Sequence, residues 1–191
     1  MKSFENISLA GNLLVAMPQM DDPRFERSVI LMLNHQQDGA MGIIVNQQTD
    51  DLTLGAILIN SDPNLNIDQI ADMPVYLGGP VDTMQGFILH SNEWSGEKTF
   101  TLPNSELNLT QSLDILDDCA RGKGPKLMRV IMGYAGWSSG QLEDEIQKNL
   151  WLVIPNALEL IFNTEDDALY EAATKSIGID IHKLSSSGGD A

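Results

Sequence analysis

From Val29 to Val45 the chain reads VILMLNHQQDGAMGIIV, and this stretch decides the fold. Val29 to Leu33 is an unbroken apolar run, Asp38-Gly39 supplies turn chemistry, and Met41-Gly42-Ile43-Ile44-Val45 is apolar again. Short apolar runs bounded by turn residues predict two buried strands joined by a tight connection. Neighbouring strands joined so closely must run antiparallel, which excludes a purely parallel sheet.

Upstream, Leu13 to Met17 reads as a third strand. Downstream, Asp50-Asp51 offers cap chemistry to a short helical segment over Thr53 to Ile59, before a polar loop around Ser61-Asp62-Pro63-Asn64. Pro74 to Leu77 and Phe87 to His90 read as strands on either side of the turn Gly78-Gly79-Pro80-Val81, and Lys98 to Leu102 as an edge strand. Asn108 with Gln111 resembles a capping box, predicting a helix that turns Leu109, Leu113, Leu116 and Ala120 inward and stops at Arg121-Gly122. Leu127 to Met132 is the next strand. Ser138 with Gln141 is a second capping box, opening a helix with Leu142, Ile146 and Leu150 inward. Trp151 to Ile154 returns as a strand, and Asn156 to Phe162 and Asp166 to Ser176 close the pattern as two helices. Interspersed strands and helices with at least one hairpin give the α/β class in its mixed α+β form, a mixed sheet surrounded by helices. We expect one domain over residues 1–184 and, from Ser185-Ser186-Ser187-Gly188-Gly189, a flexible tail over 185–191.

Set against 11 Lys and Arg, 27 Asp and Glu give the 191-residue chain a net charge of -16. A surface so acidic repels polyanions, so direct nucleic-acid binding and attraction to an anionic membrane are unfavourable. The lone Cys119 cannot close an internal disulfide, and Met1-Lys2-Ser3-Phe4-Glu5-Asn6 lacks the apolar run of a signal peptide, so the expected compartment is the cytoplasm. No apolar stretch approaches the ~20 residues of a membrane helix, so no membrane association is expected.

Gly136-Trp137-Ser138-Ser139-Gly140 matches the G-x-S-x-G pattern of a nucleophile elbow, and Asp166 and His182 complete the order Ser, Asp, His. In that mechanism His182 takes the Ser138 proton and Asp166 orients the imidazole. The competing reading makes Ser138 a helix N-cap. His35, His90 and His182 have no paired-His spacing and no cysteine partner, so no metal or cofactor is expected. His35 and His90 each end a predicted strand and read as hydrogen-bonded histidines at a sheet edge. Cys119 reads as a small core residue, with Arg121 and Lys123 near enough in sequence to lower its pKa. Arg121, Lys123, Lys126 and Arg129 form the one positive concentration, which lacks interleaved aromatics for stacking nucleotides. Gly78-Gly79-Pro80 lacks the Lys and Ser/Thr of a P-loop.

Several segments together resemble the bacterial AlgH/YqgE family. They are Ala16-Met17-Pro18 with Asp22, Pro23, Phe25, Arg27 and Ser28-Val29, then His35 with Asp38 to Gly42 and Val45-Asn46. Leu77 to Val81 with Gly86 to His90 follow, and then Gly133 to Trp137 with Gly140 to Glu143, Glu145-Ile146, Asn149 and Trp151. The resemblance implies a mixed, bifurcated sheet surrounded by helices in a cytoplasmic protein of unassigned activity. Family members carry the label of transcriptional regulator, which rests on effects on gene expression and implies no DNA-binding surface. The family pattern does not demand a serine at the position of Ser138, and this chain has Asn34 where relatives often carry a glutamate before the histidine. The expected protein is therefore a binding or indirect regulatory module for an unidentified protein or small molecule, with a serine hydrolase using Ser138, His182 and Asp166 as its rival. The candidate ligand-binding residues are Asn46, Gly79, His90, Tyr134, Gln141 and Glu143. The Gly78 to Pro80 turn, the end of the strand at His90 and the Tyr134 to Gln141 loop are expected to converge on one cleft.

Overall fold

The computed structural model describes residues 8–58, 68, 70–103, 105–155 and 157–181. Chain order runs β1 (Leu13–Ala16), a 3-10 turn (Pro23–Phe25), β2 (Val29–Gln36), β3 (Gly39–Ile44), β4 (Gln48–Thr53) and α1 (Leu54–Leu58). It continues with β5 (Pro74–Leu77), β6 (Val81–Ser91), β7 (Thr99–Thr101), β8 (Leu107–Thr110), α2 (Asp114–Ala120) and β9 (Met128–Ser138). The last elements are α3 (Gln141–Gln147), β10 (Trp151–Ile154), α4 (Leu160–Asn163) and α5 (Asp166–Ser176). Two compact units emerge, one built from the residues up to Asn46 together with those from Ala135 onward, the other from Gln47–Tyr134.

In the first unit the strands lie in the order β10, β1, β2, β3 and the second part of β9, every pair antiparallel. The hairpin read from the sequence is there, but its two-residue loop is Gln37 and Asp38, since Gln36 already pairs with Gly39. Gly39 sits at φ 147° as the first residue of β3, and a side chain on it would run into the Trp137 carbonyl of β9. A bulge at Leu33 separates the pairs Met32 with Gly42 and Asn34 with Met41. The extra residue bends the strand and re-aims the side chains after it, His35 among them. Leu14, Ile30, Met32, Ile44, Trp137 and Trp151 make the core, onto which α3 and α5 pack from β3, β10 and β1. Each such apolar side chain contributes roughly 1.5–3 kcal/mol on burial.

In the second unit β4 pairs with β5, β5 with the first part of β9, β9 with β6, β6 with β8, and β8 with β7. Leu54, Val75, Ile88, Trp94, Leu116 and Val130 fill its core. The class is mixed α+β. All described ladders are antiparallel except β5 with β9, so the mixed character expected from the sequence reduces to one short parallel pairing.

Several elements differ from their sequence reading for identifiable reasons. Asn108 does not cap a helix: Leu107 to Thr110 are all buried in β8, laddered to β6 on one side and β7 on the other, and cross-strand pairing outweighs the local cap pattern. The helix starts at Asp114, and Leu113 is exposed rather than inward. Asp50 and Asp51 lie in β4, and the Thr53 hydroxyl accepts the Ala56 N–H instead. The strand expected to end at Met132 continues to Ser138, so the expected Tyr134 to Gln141 loop is strand, turn and helix. Gly140, at φ 76°, holds the N-cap position expected for Ser138. His182, the tail over 185–191 and the Ser61 to Asn64 loop lie outside the described residues. Among those described, no helix is long and apolar enough to cross a membrane.

Candidate functional site

The turn between β1 and β2 builds one wall of a surface pocket. Asp22 opens the 3-10 turn by accepting the Arg24 N–H at 3.0 Å, and Pro23 follows with φ already fixed. The Arg24 guanidinium closes onto the same carboxylate, at 2.6 Å from Nη2 to Oδ2, and holds the Asp22 carboxyl below its ordinary value. Phe25 meets Trp151 edge to face at 5.6 Å, anchoring the turn on the core. Arg27 then takes φ 53°, a left-handed conformation costing a non-glycine residue roughly 1–2 kcal/mol.

Asn46 holds that conformation. Its Nδ2 donates to the Arg27 carbonyl at 3.0 Å while its Oδ1 accepts the Val29 N–H at 2.8 Å. The Arg27 guanidinium lies over the Tyr170 ring, 4.6 Å from its centre, with Nη2 3.5 Å from Glu171. Tyr170 donates its hydroxyl to the Ala16 carbonyl at 2.7 Å, and burial raises its pKa against the lowering influence of Arg27, so it stays protonated. The pocket is open to solvent, with a volume of about 370 Å³. Met17, Pro18, Met20, Pro23 and Ile181 supply apolar wall, while Asp21, Glu26, Arg27 and Tyr170 supply polar and charged groups. That volume lies within the range of small-molecule sites.

A second pocket, in the second unit, is apolar and smaller, about 160 Å³, between α1, α2 and β6 with Met84 and Leu113 exposed at its wall. It is sized for one apolar side chain rather than for a metabolite.

The remaining candidates are distributed. Gly78 and Gly79 press against Gly133, whose φ of 76° and close contact with the Gly79 carbonyl leave no room for a side chain, and Val81 pairs with Tyr134 beside them. Tyr134 packs edge to face on Phe87 at 6.3 Å. His90, however, pairs with Met128 at the opposite end of the β6 and β9 ladder. The strand geometry therefore separates the glycine turn from His90, and the single cleft expected from the sequence does not include that end of β6. His90 is buried, with Nδ1 2.8 Å from the Ser91 carbonyl and Nε2 2.8 Å from the Thr110 hydroxyl. A carbonyl only accepts, so Nδ1 carries the proton and Nε2 accepts from Thr110. Thr110 in turn accepts from Thr99 at 2.7 Å. His90 is thus fully used within the fold.

Gln141 and Glu143 belong to the first turns of α3. The Gln141 side-chain oxygen Oε1 accepts both the Ser138 N–H and the Ser138 hydroxyl, each at 3.1 Å. Glu143 accepts from His35 at 3.0 Å, while the other ring nitrogen of His35 accepts the Leu9 N–H at 3.2 Å. Both nitrogens are occupied. Of the Ser-His-Asp constellation, the Ser138 hydroxyl donates to Gln141 Oε1, Asp166 begins α5, and His182 lies outside the described residues.

Sequence reasoning missed Glu145. Its Oε2 accepts the indole N–H of Trp137 at 2.8 Å and of Trp151 at 2.7 Å, and its Oε1 accepts from Gln141 at 2.9 Å. The tryptophans meet edge to face at 5.9 Å. An acid between two tryptophans flanked by apolar strands is the signal that would have found it. Burial and Asp118 raise the Cys119 pKa, the reverse of the lowering expected from Arg121 and Lys123. Arg121 is spent on Asp117 at 2.6 Å and Arg129 lies over the Tyr76 ring at 4.8 Å, which divides the basic cluster.

The fold and its sites define an α+β protein built on antiparallel sheets with a small-molecule-sized pocket at the β1 to β2 turn. A family model described as AlgH-like matches residues 13–182, and the chain belongs to that family. It is 44% identical to a UPF0301 protein of Ruegeria pomeroyi over 185 residues, covering 97% of this chain and all of that one. A UPF0301 protein of Paraburkholderia phymatum is 39% identical, covering all of this chain and 99% of its own. Among solved structures, the solution structure of AlgH from Pseudomonas aeruginosa superposes with a TM-score of 0.78 at 34% identity and full coverage of both chains. A Corynebacterium diphtheriae crystal structure shares the fold at a TM-score of 0.70, 22% identity, and 94% and 92% coverage.

Proposed function

We propose that the protein is a small-molecule-binding module acting as an indirect regulator, and that its ligand occupies the pocket at the β1 to β2 turn. The observation that carries this reading is Arg27. A non-glycine residue is held at φ 53° by the Asn46 side chain, and its guanidinium lies over Tyr170 at the wall of a 370 Å³ pocket. Backbone strain kept in place by a dedicated hydrogen bond concentrates at ligand clamps. A catalytic reading has less support, because both nitrogens of His35 and of His90 already have partners within the fold.

A fragment set of varied charge and polarity, screened by 1H–15N NMR on the full chain, tests the reading. Expected hits shift the amides of Met17, Met20, Arg27 and Ile181, and lose that effect in Arg27→Gln. A screen without hits, or with hits confined to other residues, overturns it.

A further inference from the structure

Strand β6 has two neighbours over only part of its length. Its ladder with β9 is regular from Gly86 to His90, but its ladder with β8 begins at Ile88, opposite Thr110. Beyond Thr110 the chain leaves β6: the Gln111 N–H goes to the Lys98 carbonyl, and α2 starts at Asp114. Gly86 therefore stands at an open edge. Met132, opposite it on β9, accepts the Gly78 N–H with its carbonyl at 2.7 Å, on the β5 side. Directly opposed residues of an antiparallel pair exchange both backbone bonds or neither, so Gly86 aims its N–H and C=O away from β9, into the place β8 has left. Gln85 Nε2 donates to that carbonyl at 3.2 Å, a side-chain donor where the N–H of a strand would be. Among the described residues none accepts the Gly86 N–H.

Gly86 shares the face of Ile88, which packs with Leu54, Leu58 and Leu116 of the helices. Over that face lies the apolar pocket of about 160 Å³, with Met84 82% and Leu113 56% exposed at its wall. In a strand laid along the open edge, the residue opposite Gly86 exchanges both backbone bonds with it and puts its side chain on the same face, in that pocket. No residue lining the pocket is charged, while the exposed acids Asp82 and Asp114 stand two positions before Met84 and directly after Leu113. A chain with a net charge of -16 attracts a cationic partner and repels its own copies.

We infer that the open edge of β6 is a docking site for an extended, cationic segment of another protein, which adds as a strand and places one apolar side chain in the pocket over Gly86. The inference lies within the second unit and does not depend on the pocket at the β1 to β2 turn.

Capped heptapeptides Lys-Thr-Val-X-Val-Thr-Lys, with Leu, Ile, Met or Asp at X, are titrated into the full chain and followed by 1H–15N NMR. The three apolar forms are expected to shift the Gly86 and Leu113 amides, to slow Gly86 N–H exchange, and to bind about tenfold or more tightly than the Asp form. N-methylation of the central amide removes the donor to the Gly86 carbonyl and should cost about tenfold. Glu in place of both Lys should also weaken binding. A Cβ on Gly86 would meet only Met132 Sδ, at 3.5 Å, so Gly86→Val is expected to keep the parent's thermal midpoint and lose the peptides. The inference is overturned if the apolar peptides are inert or shift only other residues, if the Asp form binds equally, or if Gly86→Val binds like the parent. A Gly86 N–H already protected in the free chain, by a second copy or by another segment of the same chain, overturns it as well.

Discussion

Across 108 positions of sequence, the Nε2–H of His35 reaches the Glu143 carboxylate at 3.0 Å, and this contact fixes which ring nitrogen is left to hold Leu9. Because Nδ1 accepts the Leu9 N–H, the neutral ring must carry its proton on Nε2. A second proton would go to Nδ1 and set two donors against each other.

His35→Phe should therefore leave the Leu9 N–H without its acceptor and speed its hydrogen exchange, at a cost of about 1 kcal/mol in stability. Glu143→Gln keeps an acceptor for Nε2 and should leave Leu9 protected. Unchanged Leu9 exchange in His35→Phe would show that the ring does not hold this segment.

Glu145 holds two indole N–H groups with one oxygen. Glu145→Ala orphans both and should cost about 2–4 kcal/mol in urea unfolding, while Glu145→Gln, which still offers an acceptor, should cost about half as much. A loss under about 0.5 kcal/mol for the alanine variant would mean that the indoles are satisfied elsewhere.

Asn46 ties the Arg27 carbonyl to the Val29 N–H. In Asn46→Asp the acceptor for Val29 survives but the donor to the Arg27 carbonyl becomes a second acceptor, so we expect a loss of about 1–3 kcal/mol and faster exchange at Ser28 and Val29. Thermal unfolding equal to that of the parent chain would remove Asn46 from the account of the Arg27 conformation.

Burial lowers the His90 pKa below its ordinary value of 6.5, with the Ser91 carbonyl and Glu93 acting in the raising direction. Above that value the ring is neutral in both folded and unfolded chains and the contribution is flat. As the pH falls below it, the unfolded chain takes up the proton first, so stability is lost progressively down through the folded-state titration. The thermal midpoint should fall more between pH 7 and 5 for the parent than for His90→Gln. In the parent, NMR should show the His90 ring still neutral at a pH where the histidine of a short unstructured peptide is charged. A His90 ring titrating together with the peptide histidine would contradict this.

Cys119, half-buried and with its pKa raised, should react with a disulfide reagent at pH 7.5 more slowly than free cysteine by about tenfold or more. Faster modification would identify an activated thiolate and restore the reading that placed Arg121 and Lys123 beside it.

The strands that were legible in the sequence are those whose apolar runs are short and sharply bounded, β5 and β10 and the start of β2, and the helix read over Asp166 to Ser176 is α5. The boundaries that failed were decided by partners far away in sequence. Asn108 to Gln111 carries a local cap pattern, yet β6 and β7 claim those residues. Gly136 to Ser138 looks like a loop from its glycines, yet those residues ladder with Gly39 to Met41. The pocket was hidden for the same reason. Nothing in an isolated arginine announces a positive φ, and the Tyr170 beneath it comes from the far end of the chain. Asn46 was read from the sequence as a candidate ligand contact, and its bonds to the Arg27 carbonyl and the Val29 N–H depend on a backbone conformation that the sequence does not display.

The discontinuity of the first unit has a consequence for synthesis. Its strands β1, β2 and β3 leave the ribosome early, but their outer neighbours, β10 beside β1 and the end of β9 beside β3, arrive only after the whole of Gln47–Tyr134 has been made. At roughly 5–20 residues per second, that leaves a nascent three-stranded sheet with both edges open for several seconds, while the contiguous unit can close behind it. Those seconds are when the chain is most exposed to pairing with another copy of itself, and when a chaperone that covers β-edges would matter most.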